Sequence, residues 1–327
     1  MKYIKTEKMI SGCALAVMLL LTGCGGSKPD LPYGSLDGNS NFSIDTQTEA
    51  GKLPFFAEEL CATAEDITDS ASVDTSELKA ACVYNVSERK VVYSYKANDR
   101  LYPASLTKIM TALIVLENCQ DLSEEVIVGD VNIREQGVQL FGLKEGDSLT
   151  VSQLLYATLV NSSNDAALAL AIRFGDNVEH FVDMMNTRAL QLGCTHTHFV
   201  NPHGLPNEDH YTSAYDLYLM FNEALKHEEF VRMIQTVKYT VDYRNAEGEP
   251  QSKDITSTNS YLTGAYKKPG EVTVIGGKTG STASAGRCMI LSVDSAAGDP
   301  YIIVVMGAGD NDVLYGTISK LCNECVK

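Results

Sequence analysis

The chain has few basic residues, no long apolar run and no dense cysteine pattern, and each shortage excludes a class of protein. Its 327 residues carry 26 Lys and Arg against 42 Asp and Glu, for a formal net charge of −16, with no basic run. Nucleic-acid affinity comes mainly from Lys and Arg that neutralise phosphates, so a nucleic-acid partner is excluded. Nine irregularly spaced cysteines exclude a small disulfide-stabilised scaffold. With 44% hydrophobic residues, a buried core must hold the fold.

The N-terminus has the pattern of an export signal. Three lysines precede a mostly apolar run, residues 9–21, which is shorter than the roughly 20 residues that a transmembrane helix needs. The tetrad LTGC that follows ends at Cys24 and resembles a bacterial lipobox, in which cleavage precedes a cysteine that receives a lipid. The alternative is an ordinary secretory signal with a coincidental cysteine. We expect residues 1–23 to be a lipoprotein signal peptide and Cys24 to anchor the protein at the extracytoplasmic face of a bacterial membrane.

The next segment indicates a tether. Residues 25–52 are rich in Gly, Ser, Asp and Asn and have no sustained apolar period, which is typical of a flexible linker. Regular patterns begin near residue 77. We therefore expect a lipidated cysteine and tether over residues 24–76 and one catalytic domain over residues 77–327.

Strand patterns occupy both ends of the domain, with helical patterns between them. A hairpin is predicted over 80–95, and an antiparallel meander over 272–280, 286–295 and 301–309. Between them, 103–119 is apolar nearly all round, as in a buried helix. Two capping boxes, Thr150 with Gln153 and Asp176 with Glu179, predict helices that end near residues 160 and 193. Further helices are expected from residue 212 and over about 313–325. The order predicts an α/β fold of the α+β type, in which hairpin and meander share one sheet and a helical lobe is inserted.

A serine and a lysine at the start of the buried helix suggest nucleophilic catalysis. Ser105 and Lys108 stand one turn apart, so the lysine amine can reach the serine hydroxyl. Serine becomes a nucleophile when a neighbouring base takes its proton, and desolvation lowers the pKa of a lysine enough for that role. The helix N-terminus adds backbone N–H groups near a developing oxyanion. The alternative is a helix cap followed by a surface lysine, yet a lysine in so apolar a segment is costly without a partner or a function.

Two further motifs follow along the chain. NSSND at 161–165 separates two apolar helical runs, and KTGS at 278–281 ends a strand. Taken alone, the first is typical of helix capping and the second of a glycine turn. In the order S-x-x-K, S-x-N, K-T-G, the three resemble the signature of penicillin-binding proteins and serine β-lactamases. The candidate site therefore has the catalytic residues Ser105, Lys108, Ser162 and Asn164, and the substrate-binding residues Lys278, Thr279, Gly280 and Ser281.

The flanking sequence narrows the resemblance. YPASLTKIMTA at 102–112, SNDAA at 163–167 and FVNPHGLP at 199–206, followed by His210, are similar to the low-molecular-mass penicillin-binding proteins, the serine D-alanyl-D-alanine carboxypeptidases of peptidase family S11. The resemblance covers about residues 77–327. It implies the β-lactamase/D,D-peptidase-like fold and no cofactor. Four histidines within 196–210 could otherwise suggest zinc, but neither their spacing nor an added acidic ligand fits a zinc pattern, so we expect no metal.

The resemblance also implies a mechanism. Ser105 attacks the carbonyl of the penultimate D-Ala of a peptidoglycan pentapeptide stem, forms an acyl-enzyme and releases the terminal D-Ala. Lys108 accepts the proton of Ser105, Ser162 relays protons to the leaving amine, and Asn164 orients Lys108 and the substrate. β-Lactam antibiotics are the expected inhibitors.

The resemblance implies that the third motif, KTGS, binds the substrate. Lys278 adds positive potential, Thr279 binds the substrate carboxylate or backbone, and the backbone N–H groups of Ser105 and Ser281 form the oxyanion hole. Family members often hold the substrate carboxylate with an arginine after the last strand, whereas residues 307–312 read GAGDND here. Arg287 is near in sequence, but the pattern does not show where it points. Many members also add a C-terminal β-rich domain and a membrane helix, whose place we expect the lipid on Cys24 to take.

Three alternatives stay open. A D,D-endopeptidase acting on peptidoglycan cross-links would use the same site. A class A β-lactamase needs a glutamate, in an E-x-x-L-N pattern, that activates the deacylating water, and 196–204 reads HTHFVNPHG instead. A non-catalytic penicillin-binding protein could share the fold, although the presence of all three motifs argues against it.

Overall fold

A computed structural model describes residues 60–62, 65–135 and 137–327. The predicted signal peptide, Cys24 and most of the predicted tether lie outside the described residues. Among the described residues no helix is long and apolar enough to cross a membrane. The strands are β1 (Ala80–Asn85), β2 (Lys90–Tyr95), β3 (Glu125–Ile127), β4 (Ser148–Thr150), β5 (Lys238–Arg244), β6 (Pro250–Thr256), β7 (Thr273–Thr282), β8 (Gly286–Asp294) and β9 (Pro300–Ala308). The α-helices are α1 (Lys108–Asn118), α2 (Val151–Leu159), α3 (Asn164–Gly175), α4 (Val178–Gln191), α5 (Ala214–Ala224), α6 (Glu228–Gln235), α7 (Ser260–Thr263) and α8 (Asn311–Cys325).

The main sheet joins the two ends of the domain. Its five strands have the order β2-β1-β9-β8-β7 and are antiparallel throughout, so the predicted hairpin and meander do share one sheet. Both faces of this sheet carry apolar side chains, because the helical lobe covers one face and α8 covers the other. Val304 and Met306 enter the core on the side of the helical lobe, whereas Ile303 and Val305 enter the core beneath α8. The predicted α+β fold is confirmed.

The helical lobe lies between β2 and β7 in sequence and contains a second sheet that the sequence analysis missed. That sheet has the order β3-β4-β5-β6. In its long ribbon, β5 alternates Tyr239, Val241 and Tyr243 with polar residues, a strand pattern that was overlooked, whereas β6 is mostly exposed and has Ile255 as its single large apolar residue. Tyr239 stacks on Tyr156 of α2, with ring centroids 3.9 Å apart, and this contact holds the ribbon against the lobe.

Residues ahead of β1 also pack on the domain. The side chain of Cys61 is fully buried, and its backbone N–H donates to the hydroxyl of Tyr218. Ile67 forms an antiparallel bridge with Ser94 of β2. The segment predicted as tether therefore includes residues that contact the folded domain.

One predicted helix start is wrong and another is right. Thr150 and Gln153 form the predicted capping box of α2. Helix α4, in contrast, is capped by Asn177, whose side chain accepts the backbone N–H of His180 at 2.8 Å. Asp176 instead ends α3 in the left-handed region, with φ of 60°. Only Asn177 has the extended backbone that an N-cap requires, so the spacing of Asp176 and Glu179 was misleading.

The capping assignment can be checked by substitution. Asn177→Ala should lower the free energy of unfolding by about 1 kcal/mol, because it removes the cap of α4. Asp176→Gly should change it by less than about 0.5 kcal/mol or raise it, because glycine tolerates the left-handed backbone. Urea unfolding of both variants measures the difference. A larger loss for Asp176→Gly than for Asn177→Ala would restore Asp176 as the cap.

Candidate active site

Ser105 and Lys108 lie at the entry to α1. Residues Ala104–Thr107 form a 3₁₀ turn, which has three residues per turn, so side chains three positions apart lie one above the other. Lys108 Nζ lies 2.9 Å from Ser105 Oγ as a result. Ser105 is partly exposed at the surface, whereas Lys108 is fully buried beneath it. The alternative of a surface lysine is therefore excluded for Lys108.

Lys108 has two further partners, and both can only accept a hydrogen bond. Its Nζ lies 2.6 Å from Asn164 Oδ1 and 2.7 Å from the backbone oxygen of His203. Asn164 is the first residue of α3, and His203 belongs to the loop that contains the NPHG sequence. Asn164 is a partner that the S-x-N motif predicts, whereas a backbone carbonyl has no sequence signature, because any residue type supplies one.

The second lysine holds the second serine. Lys278 Nζ on β7 donates to Ser162 Oγ at 2.8 Å and to the backbone oxygen of Thr279 at 3.0 Å. Lys278 is 1% exposed and Ser162 is 5% exposed. Ser162 has φ of 60°, in the left-handed region that a serine seldom occupies, so the turn between α2 and α3 is held in a strained conformation.

Asp165 supports this turn and was not predicted as a functional residue. Its carboxylate accepts the backbone N–H groups of Phe141, Gly142 and Leu143 at 2.6 to 3.0 Å. These bonds attach the loop at 139–143 to the start of α3 and so fix the wall beside Asn164. The signal for such a role would have been an acid directly after the S-x-N motif.

Burial controls the protonation of both lysines. Desolvation lowers the pKa of Lys108 well below its usual value of 10.5, and the nearby charge of Lys278 lowers that pKa further. Burial lowers the pKa of Lys278 to about 7. The site thus favours Lys108 as a neutral amine that can accept a proton, whereas Lys278 changes its protonation near pH 7, well below a surface lysine.

The KTGS residues lie along β7, the edge strand of the main sheet. Alternation along the strand places Thr279 and Ser281 on the same face, at the cleft, while Lys278 points into the lobe. A Cβ added to Gly280 would lie 3.1 Å from the backbone nitrogen of Ser105, so glycine allows the edge strand to approach the nucleophile closely.

A cleft of about 620 Å³ opens between β7 and the helical lobe. Both buried lysines lie behind its surface. Six of the eight predicted site residues line it: Ser105, Ser162, Asn164, Thr279, Gly280 and Ser281. The three motifs, up to 173 positions apart in the chain, therefore meet in one place.

A chain of hydrogen bonds that the sequence analysis did not predict positions the turn before Ser105. The backbone N–H of Val200 donates to His210 Nδ1 at 3.1 Å, which leaves the ring proton on Nε2. Nε2 then donates to Thr107 Oγ1 at 2.8 Å, and Thr107 donates to the backbone oxygen of Ala104 at 2.9 Å. Burial lowers the pKa of His210 to about 3, so the imidazole stays neutral. Ala104 has φ of 48°, and this chain holds it there.

The histidines of this segment have structural partners. Among the residues that the structure describes, no group of three or more His, Cys, Asp or Glu side chains is placed to hold a metal ion. Burial also lowers the pKa of His203 to about 3, and its ring Nδ1 accepts the backbone N–H of Leu205.

The fold and the cleft are similar to those of the D,D-peptidases of the penicillin-binding protein type. The crystal structure of the Streptomyces K15 DD-transpeptidase matches with a TM-score of 0.70 and 27% identity, over 77% of this chain and 98% of that chain. The chain belongs to the D-alanyl-D-alanine carboxypeptidase family, peptidase family S11, whose family model matches residues 67–310. The resemblance read from the three motifs is confirmed.

The chain covers different fractions of the length of its individual relatives. D-alanyl-D-alanine carboxypeptidase DacF of Bacillus subtilis (strain 168) is 35% identical over 249 residues, which are 75% of this chain and 61% of the relative. For DacC of Escherichia coli (strain K12) the chain covers 62% of the relative, at 30% identity. The D-alanyl-D-alanine endopeptidase of Escherichia coli (strain K12) is 26% identical over 82% of this chain and 83% of its own length.

The close packing of the NPHG loop on the nucleophile turn gives a stability test. A Cβ at Gly204 would lie 1.8 Å from the backbone oxygen of Ala104, and Gly204 has φ of 90°. Gly248, in the β5–β6 turn, has φ of 81° with open space around it. Gly248→Ala should cost about 1 kcal/mol from backbone strain alone, whereas Gly204→Ala should cost at least about 3 kcal/mol more. Chemical unfolding measures both. Equal costs would show that the NPHG loop does not press on this turn.

Proposed function

We propose that the protein is a serine D,D-carboxypeptidase that removes the terminal D-Ala from peptidoglycan pentapeptide stems through an acyl-enzyme on Ser105. The observation that carries the proposal is the environment of Lys108 Nζ, which has two obligate acceptors and one hydroxyl as neighbours. Membership of the S11 family supports the choice of substrate.

The neighbours of Lys108 direct its lone pair. A neutral amine has two N–H groups and one lone pair. Asn164 Oδ1 and the carbonyl oxygen of His203 can only accept, so they take both N–H groups. The lone pair is then left for Ser105 Oγ, the one partner of the three that has a proton to give. Lys108 is therefore oriented as a base toward Ser105 before substrate binds.

Acylation follows from this arrangement. The proton of Ser105 passes to Lys108 Nζ while Oγ bonds to the carbonyl carbon of the penultimate D-Ala. The oxyanion that forms accepts the backbone N–H groups of Ser105 and Ser281, which the close approach at Gly280 brings to the same side of the cleft. Each such donor is typically worth about 3 kcal/mol in the transition state.

Ser162 is placed to return the proton. It lies between Lys278 and the cleft, so its hydroxyl can give a proton to the leaving nitrogen, and the proton that Lys108 took from Ser105 replaces it, which leaves Lys108 neutral again. Terminal D-Ala then leaves as the C–N bond breaks. Water then attacks the ester carbon and gives a proton to Lys108, and Lys108 passes that proton to Ser105 Oγ as the C–O bond breaks and releases the shortened stem.

The edge position of β7 accounts for peptide binding. An edge strand offers backbone N–H and C=O groups to an extended peptide, which adds as a further strand. The cleft lies along this edge and is lined by the half-buried Thr279, whose hydroxyl lies 2.6 Å from that of Thr258. β-Lactams, whose cyclic amide reacts with the same serine, are the proposed inhibitors.

A D,D-endopeptidase is the second candidate. The endopeptidase relative is matched over 83% of its own length, more than either carboxypeptidase relative described above. Cleavage of a cross-link would use the same acyl-enzyme, with a longer leaving group in the cleft.

We also propose that the enzyme acts outside the cytoplasm, held to the membrane by a lipid on Cys24. The support is the order of charged, apolar and LTGC segments at the N-terminus, together with a substrate that lies outside the membrane. The same proposal assigns residues 24–76 to a lipidated tether and residues 77–327 to the catalytic domain.

Release of D-Ala from a soluble pentapeptide ending in D-Ala-D-Ala tests the assignment of Ser105. Ser105→Ala should lower the rate by about 10⁴-fold or more, because no acyl-enzyme can form. Ser260→Ala, which removes another hydroxyl from the cleft lining, is the matched control and should retain near-normal rates. Release by Ser105→Ala at the normal rate would refute the proposal. Cleavage of a cross-linked muropeptide but not of the pentapeptide would favour the endopeptidase.

The charge coupling between the lysines gives a pH test. Acylation of Ser105 by a penicillin should rise with pH as Lys108 loses its proton, with a midpoint below 10.5, because burial and the charge of Lys278 lower its pKa. Lys278→Gln removes that charge, so the midpoint should shift to higher pH whatever the loss in maximal rate. Stopped-flow acylation across pH gives both quantities. An unchanged midpoint would show that Lys278 does not act on the protonation of Lys108.

A further inference from the structure

We propose that Arg287 binds the terminal carboxylate of the substrate and so selects peptides with a free C-terminus. The proposal rests on the proposed carboxypeptidase function and deepens it. Arg287 is the second residue of β8, is exposed, and lines the cleft.

The strand register places Arg287 beside the substrate edge. Arg287 and Ser281 are direct partners in the antiparallel pair of β8 with β7. Direct partners point to the same face of a sheet, so the guanidinium lies on the face of Thr279 and Ser281. Arg287 Nη1 donates to Ser281 Oγ at 2.6 Å, which fixes the guanidinium at the end of the KTGS motif.

The other two cations of the site are already engaged. Lys108 contacts Ser105, Asn164 and His203, and Lys278 contacts Ser162 and the backbone of Thr279. Both lysines are also almost fully buried, so neither reaches a carboxylate in the cleft without giving up these partners. A substrate carboxylate in the cleft therefore needs a charge from elsewhere.

Arg287 has donors to spare. A guanidinium offers five N–H donors in a planar fork that matches a carboxylate, and the bond to Ser281 uses one of them. None of the ion pairs formed within the described part of the chain involves Arg287.

Acidic residues near Arg287 make this end of the cleft unfavourable for an anion. Arg287 also pairs with Ala308 at the end of β9, and the loop that follows contains Asp310 and Asp312 and no basic residue. Asp310 caps α8 through the backbone N–H of Val313. An anion entering this end of the cleft approaches negative side chains, so a positive group that contacts it directly is required.

The experiment compares charged and uncharged versions of one ligand. The kcat/KM for a peptide ending in D-Ala-D-Ala is measured against its C-terminal amide, and acylation of Ser105 by benzylpenicillin is measured against its methyl ester. Arg287→Gln should lower the rates with both acids by about 10- to 100-fold while leaving the rates with the amide and the ester near wild type. Arg287→Lys keeps the charge but loses the planar fork of donors. Its rates with the two acids should lie between those of wild type and those of Arg287→Gln.

Lys79→Gln is the matched control. Lys79 is exposed and its Nζ donates to the backbone oxygen of Ser284, in the turn between β7 and β8, but it does not line the cleft. Lys79→Gln should leave unchanged the ratio of kcat/KM for the acid and the amide, and the ratio of acylation rates for the acid and the ester. This control separates direct contact of an arginine with the carboxylate from general electrostatic attraction by any nearby positive charge. Ratios for Arg287→Gln equal to those of wild type would overturn the proposal. Wild type that releases no D-Ala would refute the proposed function instead, and the penicillin pair would still decide the role of Arg287.

Discussion

The contact between Lys108 and its three neighbours is the interaction on which the rest of the site depends. A fully buried lysine is costly as an ammonium and inexpensive as an amine, provided its two N–H groups are satisfied. Asn164 and the His203 carbonyl satisfy them. Because these two groups come from α3 and from the NPHG loop, three distant segments must meet before the amine can face Ser105. The same contacts that fold the lobe therefore also orient the Lys108 amine toward Ser105.

Two residues near this contact have a strained backbone. Ser162, with φ of 60°, lines the cleft, and Ala104, with φ of 48°, directly precedes Ser105, which also lines it. Ala104 is held by the hydrogen-bond chain from His210 through Thr107 and by the close packing of Gly204. Ser162 is held by Lys278. Conformations of this kind persist only where the surroundings determine them, and here those surroundings position the two serine hydroxyls.

Much of this arrangement could be predicted from the sequence, because it depends on side-chain type at fixed spacing. The sheet followed from β-branched runs, α2 from the capping box at Thr150, and the site residues from three short motifs. What could not be predicted depends on backbone geometry or on weak patterns. The His203 carbonyl has no residue signature, β6 has no apolar alternation, and the choice of Asn177 over Asp176 depends on a dihedral angle. The direction of Arg287 required the β7–β8 register.

The protonation of Lys108 is the most direct test of this account. Protein labelled with ¹³C and ¹⁵N at lysine can be titrated by NMR, with the Lys108 signal assigned from its loss in Lys108→Gln. The account predicts that this side chain titrates well below the surface lysines, because burial and Lys278 both disfavour its charge. Titration of Lys108 together with the surface lysines, near pH 10.5, would contradict its role as the base that activates Ser105.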